Sequence, residues 1–130
     1  MILLDTHAWL WWVSDPDRLS EPARTAIAAD ERVGVSTISV LEVATLHRRG
    51  RIELDRDVRD WVARSVTEGY VHAFWPATVE VALAAASLDG EAFPGDPADR
   101  MIFATARIAD GRLVTMDRRI RTFAPEQTVW

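Results

Sequence analysis

Ile2-Leu3-Leu4-Asp5 opens the chain with three apolar residues in succession and a carboxylate at their end. A strand without polar alternation is covered on both faces, which is how strands lie inside a parallel sheet. Working outward, short apolar runs return at residues 32–35, 71–75 and 112–115, separated by longer stretches of helical period. Residues 6–13 read as a helix with Trp9, Trp12 and Val13 on one face, broken by Asp15-Pro16-Asp17. Ser20 caps a second helix reaching Asp30, with Pro22 in its first turn. Ser36 or Thr37 caps a third that runs to about Arg49 and stops at Gly50. Further helices are expected over 57–68 with Asp57 as cap, over the alanine-rich 78–88, and over 98–109. Residues 89–97, with two glycines and two prolines, read as loop, and Thr128-Val129 as a last edge strand. This alternation predicts one α/β domain over residues 1–130. Its architecture is a three-layer α/β/α sandwich around a central, mostly parallel sheet of four or five strands.

Composition narrows the chemistry. The chain has 130 residues with 20 acids, 15 arginines, no lysine and no cysteine, for a net charge of −5. Without cysteine there is no disulfide scaffold, thiolate zinc site or cysteine nucleophile. Without lysine there is no Walker P-loop and no Schiff-base lysine. The acidic balance weighs against a nucleic-acid partner. The tryptophan-rich start has no basic leader and carries Asp5 in its middle, and no apolar run reaches the roughly 20 residues of a membrane span. A cytoplasmic protein without membrane contact is expected.

Sites in open parallel sheets form at the carboxyl ends of strands, where the strand order reverses. Asp5 ends the first strand, and Asp117 lies two residues beyond the end of a later one. If those strands are neighbours, the two carboxylates share a crevice, although each alone also reads as a helix N-cap. Glu42 sits mid-helix among Val40, Leu41, Val43 and Ala44, on the face of Ile38 and Leu46. A carboxylate there needs an arginine such as Arg24 or Arg107, a raised pKa, or a metal ion. In Gly95-Asp96-Pro97-Ala98-Asp99-Arg100, Asp96 suits an N-cap and Pro97 the first helical position. Asp99 at N3 suits the helix dipole, yet it borders the apolar Met101-Ile102-Phe103-Ala104. Clustered, Asp5, Glu42, Asp99 and Asp117 would repel until neutralised, and hard cations such as Mg²⁺ or Mn²⁺ do this with oxygen ligands. Such ions serve phosphoryl chemistry. With those four of the 20 acids assigned to metal, 16 remain against 15 arginines, and the charge balance no longer opposes RNA.

Leu3-Leu4-Asp5-Thr6-His7, the helix bearing Glu42, Asp96-Pro97-Ala98-Asp99-Arg100 with Ala104 and Ala106, and Leu113-Val114-Thr115-Met116-Asp117 together resemble a PIN domain. More narrowly they resemble the VapC toxins of bacterial type II toxin–antitoxin pairs, over nearly the whole chain. The resemblance implies that Asp5, Glu42, Asp99 and Asp117 bind metal, with Thr6 and Thr115 as supporting hydroxyls and Asp96 matching the Asp-Pro of one subgroup. It also implies a Mg²⁺- or Mn²⁺-dependent endoribonuclease, a homodimer, and inhibition by a cognate antitoxin. A haloacid-dehalogenase-like phosphatase would likewise place an Asp after its first strand, but wants a second two residues later, where this chain has His7. A non-catalytic PIN-like binding module would be expected to lack some of the four acids.

Weaker signals remain. Arg118, Arg119 and Arg121 directly follow Asp117 and are candidates for RNA phosphates, with solvated charge as the plain alternative. Arg48, Arg49 and Arg51 form a second cluster at a helix end. His7 is expected as a structural hydrogen-bonder. Of six tryptophans, Trp9, Trp12, Trp61 and Trp75 are expected in the core. Trp11 and Trp12 on the first helix are candidates for an antitoxin segment, with burial of Trp11 against the second helix as the alternative.

Overall fold

The first strand is covered on both faces, as its apolar run requires. In the computed structural model, which describes residues 1–88 and 90–130, Ile2–Leu4 forms β1 and all three side chains are buried. It is followed by α1 (Thr6–Ser14), α2 (Glu21–Ala29), β2 (Val33–Ser36), α3 (Thr37–Arg48), α4 (Val58–Thr67) and β3 (Ala73–Trp75). Then come α5 (Val79–Ala86), α6 (Pro97–Ile108), β4 (Arg112–Val114), α7 (Arg118–Phe123) and β5 (Thr128–Val129). Single 3-10 turns lie at Pro16–Arg18 and Pro125–Gln127.

The five strands run in the order β3-β2-β1-β4-β5, every pairing parallel. The chain winds outward from β1 through β2 to β3, then returns to the other side of β1 for β4 and β5. The strand order therefore reverses between β1 and β4, whose carboxyl ends carry Asp5 and the segment leading to Asp117.

Alternation along β1 feeds two cores. Ile2 and Leu4 pack with Trp9, Leu10 and Val13 of α1, Ile27 of α2 and Trp61 of α4. Leu3 packs on the opposite face with Ile102, Phe103 and Ala106 of α6 and Ile120 of α7. Helix α5 rides outside α6, with Val81 and Ala85 against Ala104. Trp9 and Trp61 are fully buried with ring centroids 4.8 Å apart. The Trp9 indole N–H is satisfied by Ser65 Oγ at 3.1 Å, so neither ring leaves a buried polar atom stranded. Replacing either ring by alanine would cost about 3–5 kcal/mol.

Several expectations are corrected. Trp12 and Trp75 are half-buried rather than core. Trp12 keeps its N–H near the edge, donating to Tyr70 O at 3.0 Å. Trp75 lies over Gly34 of the neighbouring strand, where a Cβ would fall 2.7 Å from the indole, so that close approach requires glycine. Strand β3 begins at Ala73, two residues late, because His72 interrupts the ladder: its Nδ1 accepts from Val33 N at 3.1 Å where a backbone carbonyl would serve. Helix α7 was not foreseen. Its six residues show too little apolar period to reveal a helix, although Asp117 also reads as an N-cap and does cap it. Asp89, placed in the expected loop, lies outside the described residues.

Candidate active site

Three turns after strands or loops place the acids. Asp5 leaves β1 and caps α1, its Oδ1 accepting from Ala8 N at 2.7 Å. Asp117 follows β4 and caps α7, its Oδ1 accepting from Arg119 N at 2.8 Å and Ile120 N at 3.3 Å. Asp96 caps α6, its Oδ1 accepting from Ala98 N at 2.8 Å. The plain reading of these acids as caps is therefore correct, and it does not compete with the functional one. Each cap hydrogen bond uses one carboxylate oxygen and orients the other. Asp99 stands at N3 of α6, one turn inside Asp96, and Glu42 comes from the middle of α3.

All five carboxylates line one cleft of about 330 Å³, together with Thr6, His7 and Met116. Their proximity is visible in Asp99, whose pKa is pushed up to about 7. Burial is the largest cause, and the charges of Asp96, Glu42, Asp117 and Asp5 follow. Asp5 is also raised by burial, against the lowering hydrogen bonds from Thr115 and Ala8. None of the ion pairs among the described residues engages these acids. The arginines proposed for Glu42 are occupied elsewhere: Arg24 with Asp17, and Arg107 with Gln127.

Hydroxyls supply the missing polar contacts. Thr6, 5% exposed, donates to Glu42 Oε1 at 2.5 Å, tying α1 to α3. Ser39, fully buried one turn before Glu42, lies 3.0 Å from the Thr6 hydroxyl. The sequence reading missed Ser39; its helical spacing of three from Glu42 was the available signal. Thr115 is fully buried, hydrogen-bonds Asp5 and accepts from Asp117 N at 3.1 Å, joining the ends of β1 and β4. His7 is exposed on the cleft wall with its ring 5.7 Å from that of Trp11, rather than acting as a structural hydrogen-bonder. Trp11 is half-buried, not against α2 but between Arg18, 4.8 Å over its ring, and Trp130, 5.9 Å away. Arg118 and Arg119 are exposed beside Asp117, and Arg121 is half-buried.

The donor set is all hard oxygen with no thiolate, which suits Mg²⁺ or Mn²⁺. Among the described residues no three acid or histidine side chains form a ready cage for one ion. Mg²⁺ does not need one, since it usually binds through one or two carboxylates and keeps several waters. Uncompensated negative charge, one carboxyl held half-protonated near neutral pH and free carboxylate oxygens are what such a cation would relieve.

The sequence matches the PIN domain family over residues 2–125. This chain is a PIN-domain protein. It is 39% identical over 131 residues to ribonuclease VapC22 of Mycobacterium tuberculosis (strain ATCC 25618 / H37Rv), covering 99% of this chain and 98% of that protein, and so belongs to the VapC ribonuclease family. The same fold is found in VapBC2 from Rickettsia felis bound to a DNA fragment of its promoter, with a TM-score of 0.68, 12% identity and 98% and 97% of the two chains covered. A toxin–antitoxin complex from Klebsiella pneumoniae gives a TM-score of 0.66 at 19% identity over 100% and 97%. The family match removes the dehalogenase-like alternative, and among the described residues no helix is long and apolar enough to cross a membrane.

Proposed function

We propose that this PIN-domain protein is a Mg²⁺- or Mn²⁺-dependent endoribonuclease and the toxin half of a toxin–antitoxin pair. The observation that carries the catalytic reading is five carboxylates around one cleft, none paired with an arginine. Asp5, Glu42, Asp99 and Asp117 would hold the cation, and Asp96 stands at the mouth. A cation bound there supplies Lewis acidity toward the phosphate and lowers the pKa of the attacking water. The chain's own part is orientation. Thr6 holds Glu42, Thr115 spaces Asp5 from Asp117, and the cap hydrogen bonds keep three carboxylates from swinging into solvent. Arg118 and Arg119 are placed to meet phosphates beyond the cleft. A non-catalytic module of the same fold has no use for this charge. The deciding experiment is RNA cleavage with Mg²⁺, with Mn²⁺ and with chelator. Cleavage restored by either ion supports the reading, and cleavage indifferent to chelation ends it.

The antitoxin is proposed to lie along α1 and reach the acid cleft, past Trp11 and Trp12. The relatives VapBC2 and the Klebsiella complex support a protein partner. A basic side chain from such a partner would pair with the acids and displace the cation. Trp11→Ala should weaken the complex by about thirtyfold while free-enzyme cleavage stays unchanged. Equal affinities would move the interface elsewhere, for instance to the apolar groove of Val40, Ala44 and Val62 between α3 and α4. A homodimer is proposed through α5, where Val79 is 77% and Leu83 66% exposed. Its mass by sedimentation checks this.

A further inference from the structure

Among the described residues, the arginine after Asp99 is set apart by its hydrogen bonds. Arg100 spends its guanidinium on three backbone carbonyls: Nε donates to Ala85 O at 3.1 Å, Nη1 to Pro94 O at 3.3 Å and Nη2 to Leu88 O at 2.5 Å. Its charge lies 5.7 Å over the ring of buried Phe93. It stands next to a cleft of carboxylates, yet none of its hydrogen bonds goes to one.

Those three carbonyls belong to the last turn of α5 and to the segment that leads into α6. The N–H groups in the first turn of any helix lack intrahelical acceptors, and that turn frays first. In α6 that first turn carries both Asp96, the cap, and Asp99, at N3. Gly95 sits immediately before the cap and adds a conformationally permissive joint. The bond from Arg100 to Pro94 O bridges this joint, closing a ring that contains Gly95, Asp96 and Asp99. The cap hydrogen bond alone, from Ala98 N to Asp96, would leave the segment before Gly95 unconstrained.

We infer that Arg100 is a positioning residue for the acid cleft: by clamping the carbonyls of Ala85, Leu88 and Pro94 it holds the first turn of α6, and with it Asp96 and Asp99, in register for a divalent cation. This deepens the metal-dependent reading above and rests on it. Lysine cannot substitute, because an ammonium on a flexible stem cannot hold three divergent carbonyls as a planar fork does.

The test is Arg100→Lys, compared with the wild-type chain well below the melting midpoint of both. Four quantities are read: Mn²⁺ affinity by calorimetry with the metal alone, kcat and KM for RNA cleavage, and amide exchange of residues 95–99 without metal. The expected result is Mn²⁺ binding weakened by about tenfold or more, kcat lowered to match, KM within about twofold, and faster exchange confined to the start of α6. A lower melting midpoint with wild-type Mn²⁺ affinity, kcat and exchange would make Arg100 a fold staple only and overturn the inference. If Arg100→Lys does not fold, Pro94→Gly loosens the other side of the ring and should shift the same quantities in the same direction by less; no shift overturns it. A wild-type chain that neither binds Mn²⁺ nor cleaves RNA sinks the nuclease reading instead, and the exchange comparison still decides whether Arg100 holds the turn.

Discussion

Two groups of acids in this protein behave oppositely. Asp55 and Glu68, near the ends of α4, are met by arginines: Asp55 lies 3.2 Å from Arg56 and 3.1 Å from Arg64, and Glu68 lies 2.8 Å from Arg64. The hydrogen bond from Arg56 holds the Asp55 carboxyl below its ordinary range. Asp99 in the cleft is instead raised to about 7, by burial and by four neighbouring carboxylates. The caps show the same contrast. Asp57 caps α4 with its Oδ1 accepting from Arg59 N at 2.9 Å, nearly the geometry of Asp96 and Asp117, but it stands outside the acid cleft. A local motif is thus shared by acids inside the cleft and acids outside it. What separates them is whether the fold supplies counter-charge or more of the same charge, and only the second arrangement stores repulsion that a cation can release.

The sharpest way to break this comparison is to neutralise one acid inside the cleft and one capping acid outside it. Asp99→Asn should lower RNA cleavage by about a thousandfold or more, since it removes both the charge and a proposed ligand. It should also stabilise the metal-free fold by relieving repulsion. Asp57→Asn keeps a good cap and should leave cleavage at wild-type rate and stability within about 0.5 kcal/mol. Equal effects of the two substitutions in a cleavage assay would erase the distinction.

A smaller effect separates the groups by pH. Asp99 binds its proton more tightly folded than unfolded, so its contribution to stability is full below pH about 4 and is lost as pH rises through about 7. Asp5 is raised too and acts in the same sense. Asp30 and Asp55, held low, act oppositely, but below the ordinary carboxylate range of about 4 and so outside this window. In chelator, the melting midpoint should therefore be higher at pH 5 than at pH 7.5, by on the order of 5 °C. Saturating Mg²⁺ should raise it most at pH 7.5, since the proposed site would take the ion only when native and ionised. Scanning calorimetry at the two pH values checks both statements.

The smallest effect is expected from the paired group. Asp55→Asn removes the charge that Arg56 and Arg64 share, all at the surface, where ion pairs contribute little. The midpoint should move by no more than about 2 °C at 0.15 M salt, and cleavage not at all. A larger loss would mean that the surface network, too, holds the fold.

The alternation of apolar runs and capped helices determined the α/β fold, because buried parallel strands and amphipathic helices leave different periods. Their bounds drifted where side chains replaced backbone partners, as at His72, or where an element was too short to show a period, as in α7. The acids themselves were also legible, at strand ends, at helix caps and on an apolar helix face. Their meaning was not. Whether Asp5 met Asp117 depended on β1 and β4 being neighbours, and whether Glu42 found an arginine depended on where Arg24 and Arg107 turned. The meeting of Ser39 with Thr6 and the Thr115 bond to Asp5 likewise join residues far apart in the chain. Periodicity records what each residue does for its own element. Tertiary structure alone brings together charges from three turns and the middle of a helix and decides whether they are compensated.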